Sequence, residues 1–183
     1  MKNQNSEIAF LLQQCKERNQ KAQLAIYNQY YSAMFNVAFR IVNDKTLAEE
    51  IMQDGFLSAF TKLDSYSGNV TFGAWLKKIV VNRSINELKK NSNYQTESLN
   101  ENFELVDPNE EESLSVNSLK AEQILKIMQG LKPNYKVILT LFFIEGYDLE
   151  EISGILNISN ENCRTTMSRA KESLRKKAND YGA

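Results

Sequence analysis

A tryptophan set among cations is the first feature of this chain that carries chemistry. Residues 66–90 read YSGNVTFGAWLKKIVVNRSINELKK, and they hold the only tryptophan, Trp75, beside Lys77, Lys78, Arg83, Lys89 and Lys90. At about 100° per residue, Leu76, Val80, Val81, Ser84, Ile85 and Leu88 share one side of a helix. Trp75, Ile79, Asn82 and Asn86 fall on the other, flanked by Lys78, Arg83, Lys89 and Lys90. Cations suit phosphates, amides suit base edges, and a ring suits unstacked bases, so this face has the composition of a nucleic-acid surface. The pattern equally fits a helix whose Trp75 and Ile79 pack on a neighbour while its lysines are solvated, and the face alone does not separate the two.

A second basic segment lies near the C-terminus. Asp148 and Glu151 have the spacing of a capping box for a short helix over 149–156, Asn157, Ile158 and Ser159 form a tight turn, and Ser159 caps a final helix from Asn160 to about Asn179. Ile152, Ile155 and Leu156 give the short helix an apolar side, Gly154 is read as allowing close approach, and Ile158 as plugging the turn. In the final helix Cys163, Met167, Ala170 and Leu174 recur at the spacing of one buried stripe. Glu161, Arg164, Thr165, Ser168, Arg169 and Lys171 are left outward. This is the helix-turn-helix pattern, in which early Arg, Thr and Ser reach base edges in duplex DNA and later cations hold phosphates. A plain helical hairpin with a solvated basic face is the alternative.

Composition narrows the remaining chemistry. The 183 residues include no histidine, which removes the commonest general base and the commonest metal ligand. No paired-carboxylate, Gly-rich phosphate-loop or nucleophile motif appears, so neither an enzyme nor a metal or cofactor site is expected. Cys15 and Cys163 stand apart without metal-ligand spacing and are read as reduced, packed thiols. No apolar run is long enough to span a membrane, and MKNQNSEIAF lacks a signal-peptide pattern, so a cytoplasmic protein without membrane insertion is expected.

The net charge of −1 hides local asymmetry. Lys77 to Lys90 carries five cations and one anion, Arg164 to Lys177 six cations and one anion, and Tyr94 to Glu112 seven anions and no cation. The polar, acidic stretch NSNYQTESLNENFELVDPNEEES reads as a tether.

Two prolines and seven glycines in a chain rich in Leu, Ile, Lys, Glu and Gln predict an all-α protein. Four helices are expected before the tether: one capped by Ser6 and running to about Arg18; one over 21–42 with the apolar stripe Leu24, Tyr27, Tyr31, Phe35, Ala38 and Phe39; one over 46–63 with the stripe Leu47, Ala48, Ile51, Met52, Gly55, Phe56, Ala59, Phe60 and Leu63; and the basic helix. Four more follow it, over 114–130, from Pro133 to Gly146, and the two helices of the helix-turn-helix. Two small helical domains result, over 1–92 and 117–183, joined by an acidic linker over 93–116.

With these segments in order, the chain resembles the extracytoplasmic-function group of bacterial RNA polymerase sigma factors. LAEEIMQDGFLSAFTKLDSYSG resembles the segment that docks on the polymerase clamp and leads into the promoter-reading loop. FGAWLKKIVVNRSINELKK resembles the minus-ten-reading helix, and LKPNYKVILTLFFIEGYDLEEISGILNISNENCRTTMSRAKESLRKK the helix-turn-helix that binds the minus-thirty-five element. The resemblance implies a region 2 bundle and a region 4 helix-turn-helix that hold a promoter together with core polymerase.

It also implies roles. Glu49, Glu50, Gln53, Asp54 and Leu57 form the outward side of the third helix and would dock on the core enzyme. Ser67, Gly68, Asn69 and Thr71 belong to the loop that would accept a flipped non-template base, with Asn82 near it. Trp75, Lys78, Ile79, Arg83, Asn86 and Lys90 would favour the opened minus-ten region. Arg164, Thr165, Ser168 and Arg169, with Glu161 and Lys171 beside them, would face the minus-thirty-five duplex. Thr166 stands where the family often has a cation, which implies a weaker backbone grip, and Cys163 stands where valine is usual. Members of the family are commonly held by an anti-sigma factor, so such a partner is expected. Two other readings use the same residues: a helix-turn-helix regulator acting without polymerase, and a helical interaction protein with soluble basic faces. A simple repressor has no need of the block from Trp75 to Asn82.

Overall fold

The computed structural model describes residues 2–90 and 121–182, and the tether lies outside the described residues. The chain divides into two compact units, Met1–Lys90 and Asn91–Ala183. Among the described residues every regular element is helical.

In the first unit, α1 (Lys2–Lys16), α2 (Gln20–Val42), α3 (Lys45–Thr61) and α4 (Phe72–Lys90) pack as a bundle in which α2 meets each of the other three. Local chemistry sets the helix ends. Asn19 accepts from the N–H groups of Lys21 and Ala22, at 3.0 and 3.3 Å, and starts α2. Asn43 adopts a left-handed backbone (φ 58°) that ends it. Asp44 then caps α3 by accepting from the Leu47 N–H at 2.8 Å. Ser6 does not cap α1: the helix begins earlier, at Lys2, and Ser6 is exposed within it.

The core is built from Ile26, Leu63, Leu76, Val80, Val81 and Ile85, all nearly inaccessible. Each such side chain contributes about 1.5–3 kcal/mol by leaving water. The α3 stripe and the buried side of α4 fall largely as expected, but Leu47, Phe60 and Leu88 are half-buried. α3 ends at Thr61, leaving the buried Leu63 in a 3-10 turn after it. Ser84 is satisfied by donating to the Val80 carbonyl at 2.9 Å. Gly55 is needed where α3 crosses α4, since a Cβ there would sit 2.8 Å from a methyl of Val80.

The expected α2 stripe is corrected except at Ala38. Ala22, Ile26, Met34, Val37, Ala38 and Ile41 are buried, while Leu24 (59 %), Tyr31 (47 %) and Phe39 (37 %) remain exposed. Tyr27 stacks on Tyr31 and Phe35 on Phe39 along that second stripe. The helix is apolar on two sides, and the smaller, aliphatic side fits the close helix contacts of the bundle.

The second unit contains α5 (Ala121–Gln129), α6 (Pro133–Leu139), α7 (Leu149–Leu156) and α8 (Asn160–Gly182), with α5, α6 and α7 all packed on α8. The beginning expected for α5, at 114–120, lies outside the described residues. Pro133 occupies the first turn of α6. The helix continues as a π-turn over Thr140–Ile144 and stops where Gly146 takes φ 76°. The Asp148–Glu151 capping box forms in both directions, at 2.8 and 3.0 Å. Asn157 turns the chain with φ 58°, and Ser159 Oγ accepts from the Asn162 N–H at 3.2 Å.

Candidate nucleic-acid interfaces

On α4 the residues singled out by type share one accessible side. Lys78, Asn82, Asn86 and Lys90 are exposed, and Trp75, Ile79 and Arg83 are half-buried. Trp75 is both packed and presented: its ring lies 5.3 Å from Tyr66 and 5.7 Å from Phe72, centroid to centroid, while part of it stays open to solvent. Lys89 is half-buried and has a partner of its own.

Ahead of α4, Ser67, Gly68, Asn69 and Thr71 are all exposed. Gly68 has φ 77°, a conformation that side chains rarely adopt. Thr71 has a second task, for its Oγ1 accepts from the Ala74 N–H at 3.3 Å and caps α4. Sequence reasoning passed over Tyr66 and Tyr30. Tyr66 donates to the Val70 carbonyl at 2.7 Å, and Phe72 sits edge-on between Tyr66 and Tyr30, at 5.8 and 5.6 Å. Burial pushes both phenols above their ordinary range, with the neighbouring Tyr66 adding to the rise at Tyr30. The aromatic spacing 66, 72, 75 was the available signal, but it crosses a turn that helical periodicity cannot follow.

On α3, Glu49, Glu50, Gln53, Asp54 and Leu57 are exposed, Leu57 to 66 %. Beside their crossing, an open groove of about 750 Å³ lies between α3 and α4, lined in part by Glu50, Asp54, Ile79, Asn82 and Asn86. Arg83 spans it with a 2.9 Å bond to Asp54, so two residues singled out for different tasks are partners. Both are substantially exposed, which makes the pair worth at most about 1 kcal/mol and easily exchanged.

In the second unit α8 buries Cys163, Met167 and Ala170 and leaves Leu174 half-buried. Cys163 donates weakly to the Leu149 carbonyl at 3.4 Å, which ties α8 to α7, and burial pushes its thiol up. Cys15 is likewise free and buried. Glu161, Arg164, Thr165 and Ser168 are exposed and Arg169 half-buried, so these residues form one accessible strip. Lys171 differs: it is half-buried, with Nζ 5.5 and 5.7 Å from the ring centres of Phe142 and Phe143. The π-turn brings both rings there.

Two further readings change. Gly154 is exposed, and a Cβ on it would meet nothing within 4 Å, so no close approach depends on it. Thr166 is buried, with its hydroxyl 3.3 Å from the Asn162 side chain, so it belongs to the packed side of α8 and not to the outward strip. Among the described residues no group of histidine, cysteine or acidic side chains has the arrangement to hold a metal ion, and no helix is long and apolar enough to cross a membrane.

The chain is similar to known proteins along most of its length. Residues 26–94 match the family model of sigma-70 region 2, and residues 121–174 match that of sigma-70 region 4. The ECF RNA polymerase sigma factor SigW of Bacillus subtilis is 29% identical over 179 residues, covering 92% of this chain and 95% of SigW. The RNA polymerase sigma factor YlaC of the same organism is 28% identical over 153 residues, covering 82% of this chain and 88% of YlaC. Among solved structures, the sigma factor RpoE of Bartonella quintana, crystallised with the anti-sigma factor NepR, shares the fold at a TM-score of 0.56 and 20% identity, covering 85% of this chain and 95% of that one.

Proposed function

We propose, for a chain that belongs to the sigma-70 family and within it to the extracytoplasmic-function group, that its two units divide one promoter between them. The protein is a transcription-initiation factor that directs promoter recognition by RNA polymerase. The division runs from a minus-ten unit over 1–92, through a tether over 93–116, to a minus-thirty-five unit over 117–183.

In the first unit the outward side of α3 docks on core polymerase, with Leu57 as the apolar centre and Glu49, Glu50, Gln53 and Asp54 around it. The loop of Ser67, Gly68, Asn69 and Thr71 receives a base extruded from the non-template strand. Extrusion costs a few kcal/mol. Trp75 and Ile79 offset it by apolar contact, Asn82 and Asn86 by hydrogen bonds, and Lys78, Arg83 and Lys90 by charge. In the second unit Arg164, Thr165 and Ser168 meet base edges in the major groove, and Arg169 and later cations hold phosphates. Lys171, seated on Phe142 and Phe143, reaches the backbone only from the edge of that contact, and Glu161 stands at the N-terminal margin of the strip.

This assignment rests on one observation above the others. The α4 face combines a half-exposed indole with exposed Asn82, Asn86 and Lys78 beside an open loop, a set suited to opened single strands more than to an intact duplex. No catalytic group is assigned, because bond formation in transcription belongs to the polymerase. The protein acts in the cytoplasm in this reading, where polymerase and DNA meet, without entering a membrane. An anti-sigma protein that competes with core polymerase for the Leu57 face is the expected regulator. The experiment that tests the assignment is permanganate mapping of a promoter bound by holoenzyme. Thymines of the minus-ten region should become reactive with wild type and stay protected with Asn82→Ala; equal reactivity would remove Asn82 from the opening step.

A further inference from the structure

The loop between α3 and α4 is closed on itself by one side chain. The Tyr66 hydroxyl donates to the Val70 carbonyl at 2.7 Å. Its ring is held from the other side, 5.3 Å from Trp75 and edge-on to Phe72 at 5.8 Å. Phe72 is itself only 2 % exposed and edge-on to Tyr30, so the Tyr66 ring is anchored to the core while its hydroxyl grips the loop. Ser67, Gly68 and Asn69 lie between the two ends of this clasp and are exposed. Gly68 takes φ 77° with nothing within 4 Å of where a Cβ would stand, so nearby side chains do not brace the tip. Val70, whose carbonyl accepts the bond, is 53 % exposed and has no burial of its own to fix it.

We propose that Tyr66 is a positioning residue for promoter opening: its hydroxyl closes residues 66–70 into a ring that holds Ser67, Gly68 and Asn69 in the shape that receives the extruded base. The proposal rests on the reading that this loop receives the base. Tyr66 acts through the backbone it holds and makes no base contact in this account. The same ring touches Trp75, so loop shape and indole position are set together. Phenylalanine would keep the aromatic packing and lose only the bond.

The test uses holoenzyme reconstituted from core polymerase and the full chain, with wild type, Tyr66→Phe, Gly68→Ala and Asn82→Ala compared. The probe is the non-template minus-ten oligonucleotide of a promoter mapped with wild-type holoenzyme, carrying 2-aminopurine at the extruded position. Loss of one hydrogen bond should weaken oligonucleotide binding by Tyr66→Phe roughly three- to tenfold and lower the 2-aminopurine signal at saturation. Gly68→Ala should act in the same direction through the backbone alone. Core-polymerase affinity and binding of the minus-thirty-five duplex should stay at wild-type values in both. The melting temperature should stay close to wild type in Tyr66→Phe, whereas Gly68→Ala, at φ 77°, should lower it. Wild-type oligonucleotide affinity and signal in Tyr66→Phe would overturn the proposal, as would a loss matched by equal losses in core affinity and melting temperature. If wild type fails to prefer the minus-ten strand over a scrambled one, or Asn82→Ala binds as wild type, the reading of the whole face falls and the clasp falls with it.

Discussion

Arg83 of α4 reaches across the groove to Asp54 of α3 and binds it at 2.9 Å. One partner sits among residues assigned to promoter DNA and the other among those assigned to polymerase. Under the proposed assignment core polymerase and DNA would draw on the two ends of one exposed ion pair, and engagement of Asp54 would free Arg83 for a phosphate. Asp54→Ala should therefore weaken core binding yet raise the affinity of the free chain for a single-stranded minus-ten oligonucleotide, by up to about fivefold. Fluorescence anisotropy at low and high salt measures both. An unchanged oligonucleotide affinity would mean that the pair does not restrain Arg83.

Asn82 is exposed, so its loss should cost little stability, within about 0.5 kcal/mol. Promoter opening should suffer instead. Abortive transcript yield from a linear duplex promoter should fall about tenfold or more with Asn82→Ala, and a template already mismatched over the minus-ten region should restore most of it. A defect equal on both templates would place Asn82 outside the melting step.

On the strip proposed for the minus-thirty-five duplex, base contacts and phosphate contacts should be separable by substitution. Arg164→Ala should lose about 1–3 kcal/mol on the cognate minus-thirty-five duplex and much less on a duplex changed at the contacted base pair. Lys176→Ala, at an exposed later position, should weaken binding to all sequences alike and lower the salt slope by about one. Uniform weakening by Arg164→Ala would reassign it to the backbone.

No histidine is present to titrate around neutrality. The alkaline side differs. Tyr147 is pushed from 10.0 up to about 12, first by burial and then by Glu145 and Glu151. Its folded form therefore keeps a proton that the unfolded chain releases near 10, and ∂ΔG/∂pH is negative between those values. The stabilisation is complete below about pH 9 and is lost as pH rises towards 12. Urea denaturation from pH 8 to 11 should show a falling midpoint, flattened in Tyr147→Phe; a flat wild-type curve would contradict the burial of this phenol.

Much of the fold was legible because local signals and burial agreed. The Asp148–Glu151 box and the Ser159 cap set α7 and the start of α8 to the residue, while α8 runs on to Gly182, past the expected end near Asn179. The buried side of α4 followed from its period. α2 misled because it carries two apolar stripes, and periodicity does not say which one packs. The π-turn at Thr140–Ile144 adds a residue to one turn, which no regular wheel anticipates, and it carries Phe142 and Phe143 towards Lys171. At the candidate site the chemistry of α4 could be read from residue types, whereas the Tyr66–Val70 clasp and the Arg83–Asp54 bridge depend on three-dimensional approach across a loop and across two helices.

The most direct test of the account is in vitro transcription with sigma-free bacterial core polymerase, the purified chain and a pool of genomic fragments from its host. New start sites that share two upstream elements at fixed spacing should appear, be lost with Asn82→Ala and be weakened with Arg164→Ala. No new starts from a chain that is folded and binds core polymerase would contradict it.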